Sequence, residues 1–105
     1  MNSNREERGR EAVREAAAEF LAREASRQSL ITVTDTDLSH DGRRATIFIT
    51  VLPESAEQSG LEFANRHCGE LAEFLRTRVR GMRMPHIEFM IDKGEKNRQR
   101  LDELS

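Results

Sequence analysis

One segment, Arg44 to Leu52, constrains the fold of this chain more than any other. Its side chains alternate between two faces, Ala45, Ile47, Ile49 and Val51 on one, and Thr46, Phe48, Thr50 and Leu52 on the other. A period of two with β-branched residues is typical of a β-strand. Because both faces are fairly apolar, we expect the strand to be central in a sheet or well covered. Pro53 then ends it.

A second strand precedes this one. In the segment from Leu30 to Leu38, Ile31 and Val33 alternate with threonines. The five residues from Ser39 to Arg43 separate the two strands and contain Asp-Gly, a strong turn signal. The two strands are therefore predicted to form a hairpin.

An amphipathic helix is predicted from about Arg5 to Ser26. Its apolar residues recur at helical spacing and form one stripe, made of Val13, Ala16, Ala17, Phe20 and Leu21. The opposite face carries both arginines and glutamates. A charge-balanced face is poorly suited to a membrane surface, so we expect the stripe to pack on the sheet.

The pattern from about Ala56 to Arg80 is also helical, with Ser55 as a candidate N-cap. Gly69 interrupts it, and glycine inside a helix often marks a break. We therefore predict two helices joined near residues 67–69. Gly81 is the expected end of the second helix.

A third strand follows Pro85, where Ile87, Phe89 and Ile91 alternate with polar residues and methionine. Beyond Gly94 the chain is highly charged, with Leu101 and Leu104 as its apolar residues. We expect a single domain over residues 1–105, with about 1–4 and 94–105 weakly ordered.

Composition excludes several classes of protein. At 105 residues with 36% hydrophobic and 34% charged residues, the chain has room for one lean core. It has no apolar run long enough for a membrane span and no apolar N-terminal segment typical of a signal peptide. A single cysteine excludes an internal disulfide and a cysteine-rich zinc site, and it fits a reducing cytoplasm. We therefore predict no metal, no cofactor and a cytoplasmic location.

The charges are unevenly distributed although the net charge is only −2. Residues 76–100 hold eight basic and three acidic side chains, whereas residues 54–75 hold five glutamates and one arginine. A basic segment of this kind can contact phosphate even in a slightly acidic protein. A solvated surface without a ligand explains the same pattern.

The sequence does not favour catalysis. It has neither a Walker-type phosphate loop nor a His-Glu-x-x-His helix. His67 and Cys68 are neighbours, but adjacent helical residues point about 100° apart. A small enzyme that uses this pair is an alternative that the substitution Cys68→Ala would test, and we expect that substitution to be mild.

Binding to nucleic acid fits the residues better. Arg76 and Arg80 are four apart and share a helix face, Arg83 follows them, and Arg matches phosphate geometry. Gly69 lets a backbone approach closely. Because Trp and Tyr are absent, the base-stacking surface typical of single-strand binders is lacking. The sequence therefore indicates recognition of structured RNA by shape and backbone.

Four segments carry a resemblance to a known family. The first is the N-terminal helix at 14–25, and the second is the pair of strands at 33–39 and 45–52 with the turn between them. The third is the segment Cys68 to Arg76, and the fourth is the segment Arg83 to Asp92. The last has a specific pattern of Arg, Pro, aliphatic residues, Phe and Asp. The chain resembles ribosome-binding factor A, a bacterial small-subunit maturation factor with a type II KH fold, over nearly its whole length.

The resemblance implies an α+β fold of order α-β-β-α-α-β, with one three-stranded mixed sheet and a helix bend at Gly69. It implies a monomer that binds the immature 30S subunit and assists 16S ribosomal RNA processing without catalysis, with an assembly GTPase as a further partner. The family has Ala-x-Gly at the bend, where this chain has His67-Cys68-Gly69, so His67 either contacts RNA or changes the packing. The predicted RNA-binding residues are Arg66, His67, Gly69, Arg76, Arg80, Arg83 and Lys93. A KH-like protein-interaction module without RNA contact is the alternative.

Overall fold

The computed structural model describes residues 2–24, 29–79 and 84–94. In the first helix, side chains are described for residues 7–23. The elements follow the predicted order. They are α1 (Asn2–Glu24), β1 (Leu30–Leu38), β2 (Arg44–Leu52), a 3-10 turn (Glu54–Ala56), α2 (Glu57–Arg66), α3 (Cys68–Arg78) and β3 (His86–Ile91). Within the described ranges, no helix is both long and apolar enough to cross a membrane.

The three strands form one mixed sheet in the order β1-β2-β3. β1 pairs antiparallel with β2 through the predicted hairpin, and β3 pairs parallel with β2 after the α2–α3 crossover. The strand from Arg44 to Leu52 is predicted to be either central or well covered, and the structure shows that it is central. A parallel neighbour requires a long connection, and the two helices supply it.

The helices cover one face of the sheet, and the core lies between them. The side chains of Ile47 and Ile49 on β2 are wholly buried, and Phe89 on β3 is 2% exposed. The predicted stripe of α1 is buried against this face. The remaining buried apolar residues are Val13, Ala16, Ala17, Phe20, Leu21, Ala45, Val51, Ala64, Leu71, Leu75 and Ile87.

α2 approaches β2 closely at Gly60. A Cβ atom at this position would lie 2.9 Å from Val51 Cγ1, closer than side chains tolerate. Gly60 is buried. The absence of a side chain here therefore sets how near α2 lies to the sheet.

The hairpin turn forms as the Asp-Gly pair predicts. Gly42 has a φ of +73°, a conformation that glycine adopts without a steric penalty. The Asp41 carboxylate accepts hydrogen bonds from the Ser39 hydroxyl at 2.7 Å and the Arg43 amide at 3.0 Å. These bonds, led by the one from Ser39, lower the pKa of the Asp41 carboxyl below its usual value of 3.8.

The predicted break between two helices is confirmed, but the residue that makes it is His67 and not Gly69. His67 has φ −101° and ψ 11°, outside the helical region, and it ends α2 and precedes α3. Gly69 is the second residue of α3. Its φ is not positive, and a Cβ there would meet no atom within 4 Å in the described part of the chain, so its conformation does not require glycine.

Three other predicted boundaries differ from the structure. Ser55 is not an N-cap, because a 3-10 turn begins at Glu54 and α2 starts after Ala56 without a side-chain cap. α1 begins at Asn2 rather than at Arg5, and its predicted end at Ser26 lies outside the described residues. α3 ends at Arg78, and Gly81 and the C-terminal leucines lie outside the described residues.

The second face of the sheet is only partly covered. We call it the open face, and define it by the side chains that alternate with the core-facing residues in the strand register, namely Leu30, Thr32, Asp35, Asp37, Arg44, Thr46, Phe48, Thr50, Leu52, His86, Glu88 and Met90. Leu30 is 62%, Leu52 50% and Met90 45% exposed. At Thr34 a register shift interrupts the β1–β2 pairing, and the Thr34 hydroxyl donates to the Asp92 carboxylate at 2.5 Å.

Candidate nucleic-acid interface

The break between α2 and α3 brings three of the predicted contact residues together. Arg66 is the last residue of α2, His67 forms the break and Gly69 lies in the first turn of α3. We call residues 66–69 the α2–α3 turn. Arg66 and Gly69 are exposed, whereas His67 is half-buried.

The side chain of His67 turns inward and caps α2. Its Nδ1 lies 2.8 Å from the carbonyl oxygen of Phe63, and because that oxygen can only accept, Nδ1 carries the proton. The imidazole packs 4.4 Å from the Phe63 ring centre and 6.5 Å from that of Phe20. His67 thus has a packing role, and its contact with RNA stays a prediction.

Gly69 leaves the surface of the turn uncovered. No atom of the described residues lies within 4 Å of the position a side chain would occupy, and the residue is exposed. A flat ligand surface can therefore approach the backbone at the start of α3. A helix N-terminus carries a partial positive charge that favours anions, although Glu70 in the same turn offsets part of it.

Arg76 lies further along α3, on the same helix face as Gly69 by spacing. Its guanidinium is 3.6 Å from the Glu73 carboxylate, and both side chains are about two-thirds or more exposed, at 67% and 73%. A pair this exposed is worth roughly 0–1 kcal/mol. Arg76 can therefore exchange Glu73 for a phosphate at little cost.

Arg78, two residues on, has a structural role instead. Its guanidinium lies 2.6 Å from the Glu19 carboxylate of α1 and 4.7 Å from the centre of the Phe74 ring. Arg23 of α1 also pairs with Glu19, at 3.3 Å. Arg78 thus joins α3 to α1, and it is a natural control for Arg76.

The other predicted cations do not join this group. Lys93 is exposed but follows the end of β3, separate from the α2–α3 turn. Arg80 and Arg83 lie outside the described residues. Because α3 ends at Arg78 and Val79 is extended, the helix face predicted to hold both Arg76 and Arg80 does not continue that far.

Asn65 is a residue that sequence reasoning missed. Its side-chain amide donates to the carbonyl of Phe89 at 3.3 Å, and its carbonyl accepts from the Phe89 amide at 2.9 Å. These bonds fasten the end of α2, and hence the α2–α3 turn, to the outer edge of β3. An asparagine at a helix end indicates a polar contact, but its partner on β3 could not be predicted from the sequence.

The geometry does not build a nucleophile or a metal centre here. Burial, reinforced by the charge of Glu88, raises the pKa of the Cys68 thiol, which keeps it protonated and unreactive. The thiol lies 3.8 Å from the Ala64 carbonyl, as in a small packed side chain. The described ranges contain no cluster of three metal-ligating side chains.

The order of the elements, the mixed sheet and the broken helix pair define a KH-like α+β domain of type II. The family model for ribosome-binding factor A matches residues 5–105. The chain therefore belongs to the ribosome-binding factor A family.

Curated relatives agree with this assignment. A ribosome-binding factor A from Natranaerobius thermophilus is 30% identical over 107 residues, covering 99% of this chain and 82% of the relative. Another, from Thermodesulfovibrio yellowstonii, is 33% identical over 94 residues, covering 88% of this chain and 80% of the relative.

Solved structures share the fold. The crystal structure of ribosome-binding factor A from Thermus thermophilus has a TM-score of 0.73 and 26% identity, covering 82% of this chain and 94% of that one. A homology model of the Thermus thermophilus factor, fitted into the cryo-EM map of its 30S complex, has a TM-score of 0.68 and 28% identity, covering 78% and 89%.

Proposed function

We propose that this chain binds the immature small ribosomal subunit and assists late maturation and processing of its 16S ribosomal RNA without catalysis. The observation that carries the proposal is membership of the ribosome-binding factor A family over residues 5–105. The related Thermus thermophilus factor in a 30S complex supports the choice of subunit. Such a factor acts in the cytoplasm by binding one RNA arrangement in preference to another.

The α2–α3 turn and the exposed face of α3 are the proposed RNA surface. Arg66 and Arg76 offer exposed guanidinium groups, and Gly69 leaves the backbone between them accessible. Arg80, Arg83 and Lys93 are further proposed contacts, from sequence alone. His67 supports this surface through its bond to Phe63, and a contact of its own with RNA stays a prediction.

Co-sedimentation with purified ribosomal particles tests the proposal. The protein is mixed with isolated small subunits or with assembled ribosomes, each at low and high salt. We expect binding to free small subunits that weakens at high salt, and little binding to assembled ribosomes. Equal binding to both particles would contradict a role confined to maturation.

Arg66→Glu with Arg76→Glu identifies the surface, and Arg78→Ala is the control. We expect the double variant to lose most subunit binding while it keeps its circular dichroism spectrum. Arg78→Ala should bind normally but unfold at a lower temperature, because it loses its contacts with α1. Normal binding by the double variant would remove the turn from the proposal.

The alternative is a protein-interaction module that makes no RNA contact. It predicts binding to small-subunit proteins alone and a shallow salt dependence. An assembly GTPase as a partner stays a prediction from the family resemblance, and binding of the purified GTPase would test it.

A further inference from the structure

The three large apolar side chains that remain exposed in the described part of the chain all lie on the open face. Leu30 and Leu52 face each other across β1 and β2, and Met90 lies beside Phe48 across β2 and β3. Scattered exposed apolar residues are ordinary, but several on one face indicate a binding surface.

Acidic residues accompany these apolar ones in the same strand rows. Asp35, Phe48 and Met90 form one row across the three strands, and Asp37, Thr46 and Glu88 form a neighbouring row. The three carboxylates are exposed. Among the residues that the structure describes, Asp37 and Glu88 have no cationic side chain within ion-pair distance.

A depression lies at the acidic end of the face. Asp37, Thr46 and Glu88 line it, together with Arg44 and His86. A cationic side chain entering between Asp37 and Glu88 would come within reach of both carboxylates. An RNA phosphate at the same place would meet two carboxylates against the one guanidinium of Arg44, so repulsion would outweigh attraction.

The charge of the open face also disfavours a second copy of this chain. A two-fold dimer through this face would bring two copies of the same patch together, and each copy carries three carboxylates against the single guanidinium of Arg44. The excess of negative charge on each copy would therefore make the two copies repel each other. A partner with basic and apolar side chains is complementary to the face instead.

We propose that the open face binds a protein segment of the small subunit in which basic and apolar side chains alternate. The apolar side chains of the segment pack on Phe48, Met90 and Leu52, and one of its cations enters between Asp37 and Glu88. This inference rests on the proposed function and adds a protein contact to the RNA surface at the α2–α3 turn.

The sign of a charge-reversal effect tests the inference. Asp37→Lys with Glu88→Lys should weaken binding to isolated small subunits at least tenfold, because it repels a basic segment. If the open face lay against RNA, the same change would tighten binding, and if the face were free, binding would not change. Either result overturns the inference.

A matched variant controls for the added charge. Glu7→Lys with Glu15→Lys makes the same change on exposed positions of α1. We expect its binding to subunits to be unchanged or slightly tighter. Weakening equal to that of the open-face variant would show a general charge effect and overturn the inference.

A photo-crosslinking amino acid identifies the class of partner. Placed at Met90 and, in a second variant, at Arg76, it is activated on isolated small subunits. We expect the product at position 90 to resist ribonuclease and be destroyed by protease, whereas the product at position 76 contains RNA. RNA or a second copy attached at position 90 overturns the inference.

The two proposals fail in different ways. A product at position 76 without one at position 90 overturns the open-face inference and leaves the proposed function standing. Absence of both products, together with absence of sedimentation with small subunits, overturns both.

Discussion

The two faces of the sheet carry similar apolar residues, but these residues are buried on one face and exposed on the other. On the covered face Ile47, Ile49 and Phe89 are almost wholly buried under the helices. On the open face Leu52 and Met90 are about half exposed, at 50% and 45%, although they alternate with those core residues along the same strands. Burial of apolar area supplies most of the free energy of folding. The covered face therefore provides stability, and the open face is available for binding.

The largest expected effect is a difference in stability between two alanine variants, one on each face of the sheet. Phe89→Ala opens a cavity in the core and should lower the free energy of unfolding by about 3–5 kcal/mol. Met90→Ala, one residue on, should cost less than about 1 kcal/mol because its side chain is already in contact with water. Urea denaturation of both variants measures the difference. Equal losses would mean that the open face is covered in solution.

The two helical glycines sharpen the comparison. Gly60→Ala places a Cβ atom 2.9 Å from Val51 Cγ1, and we expect the strain to cost about 1–3 kcal/mol. Gly69→Ala places a Cβ atom more than 4 Å from every other atom of the described ranges, apart from its own backbone surroundings, and should stabilise α3 by up to about 1 kcal/mol. Thermal unfolding checks both signs. A destabilised Gly69→Ala protein would contradict the assignment of the break to His67.

The same glycine substitution separates stability from binding. If Gly69 keeps the turn surface free for RNA, Gly69→Ala should weaken binding to small subunits although the protein unfolds at a higher temperature. Sedimentation of the variant with isolated small subunits measures this. Unchanged binding would show that this position tolerates a small side chain and that Gly69 is not needed to keep the turn surface free for RNA.

Thr36 is the exception within the covered face. It is 2% exposed, and its hydroxyl has no hydrogen-bond partner among the residues that the structure describes. A buried hydroxyl without a partner costs about 1–3 kcal/mol. Thr36→Val should therefore raise the free energy of unfolding by about 1 kcal/mol, whereas Thr32→Val on the open face should change it little. Chemical denaturation distinguishes these outcomes, and a destabilised Thr36→Val protein would show that the hydroxyl is satisfied.

The smallest effect concerns the hairpin turn, which belongs to neither face. Because its folded-state pKa is lowered, Asp41 contributes stability that is present above pH 3.8 and lost as pH falls through the lower folded value. NMR titration should place the pKa of the Asp41 carboxyl below 3.8. Ser39→Ala removes the main cause and should move it upward; an unchanged pKa would contradict the assigned hydrogen bond.

Much of the fold could be predicted from side-chain periodicity. The alternation along Arg44 to Leu52 identified the central strand, and the Asp41-Gly42 pair located the hairpin turn. Whether helices cover the open face of the sheet could not be predicted. An alternating apolar pattern is the same in sequence whether the face packs against a helix or contacts solvent.

The helix break shows a different limit. Glycine is the weakest ordinary helix former, so Gly69 is the residue that sequence alone selects. The structure places the break at His67, whose imidazole bonds Phe63 and packs near Phe20 of α1. That contact joins residues 47 positions apart in sequence. Local propensity does not report such long-range packing.

The candidate site was predictable in part. The sequence grouped Arg66, His67 and Gly69, and the structure brings them together at the α2–α3 turn. It also placed Arg76 and Arg80 on one helix face, but α3 ends at Arg78. Arg76 and Arg78 read alike in sequence, yet tertiary contacts engage Arg78 with α1 and leave Arg76 on the surface.

The salt dependence of small-subunit affinity tests the central claim most directly. The dissociation constant of the wild type and of Arg66→Ala with Arg76→Ala is measured between about 50 and 200 mM salt. For the wild type we expect the logarithm of the affinity to fall linearly with the logarithm of the salt concentration. The slope of the variant should be less steep by about 0.7 for each phosphate contact that it loses. Identical slopes, or a wild-type affinity that does not respond to salt, would contradict RNA binding through the α2–α3 turn.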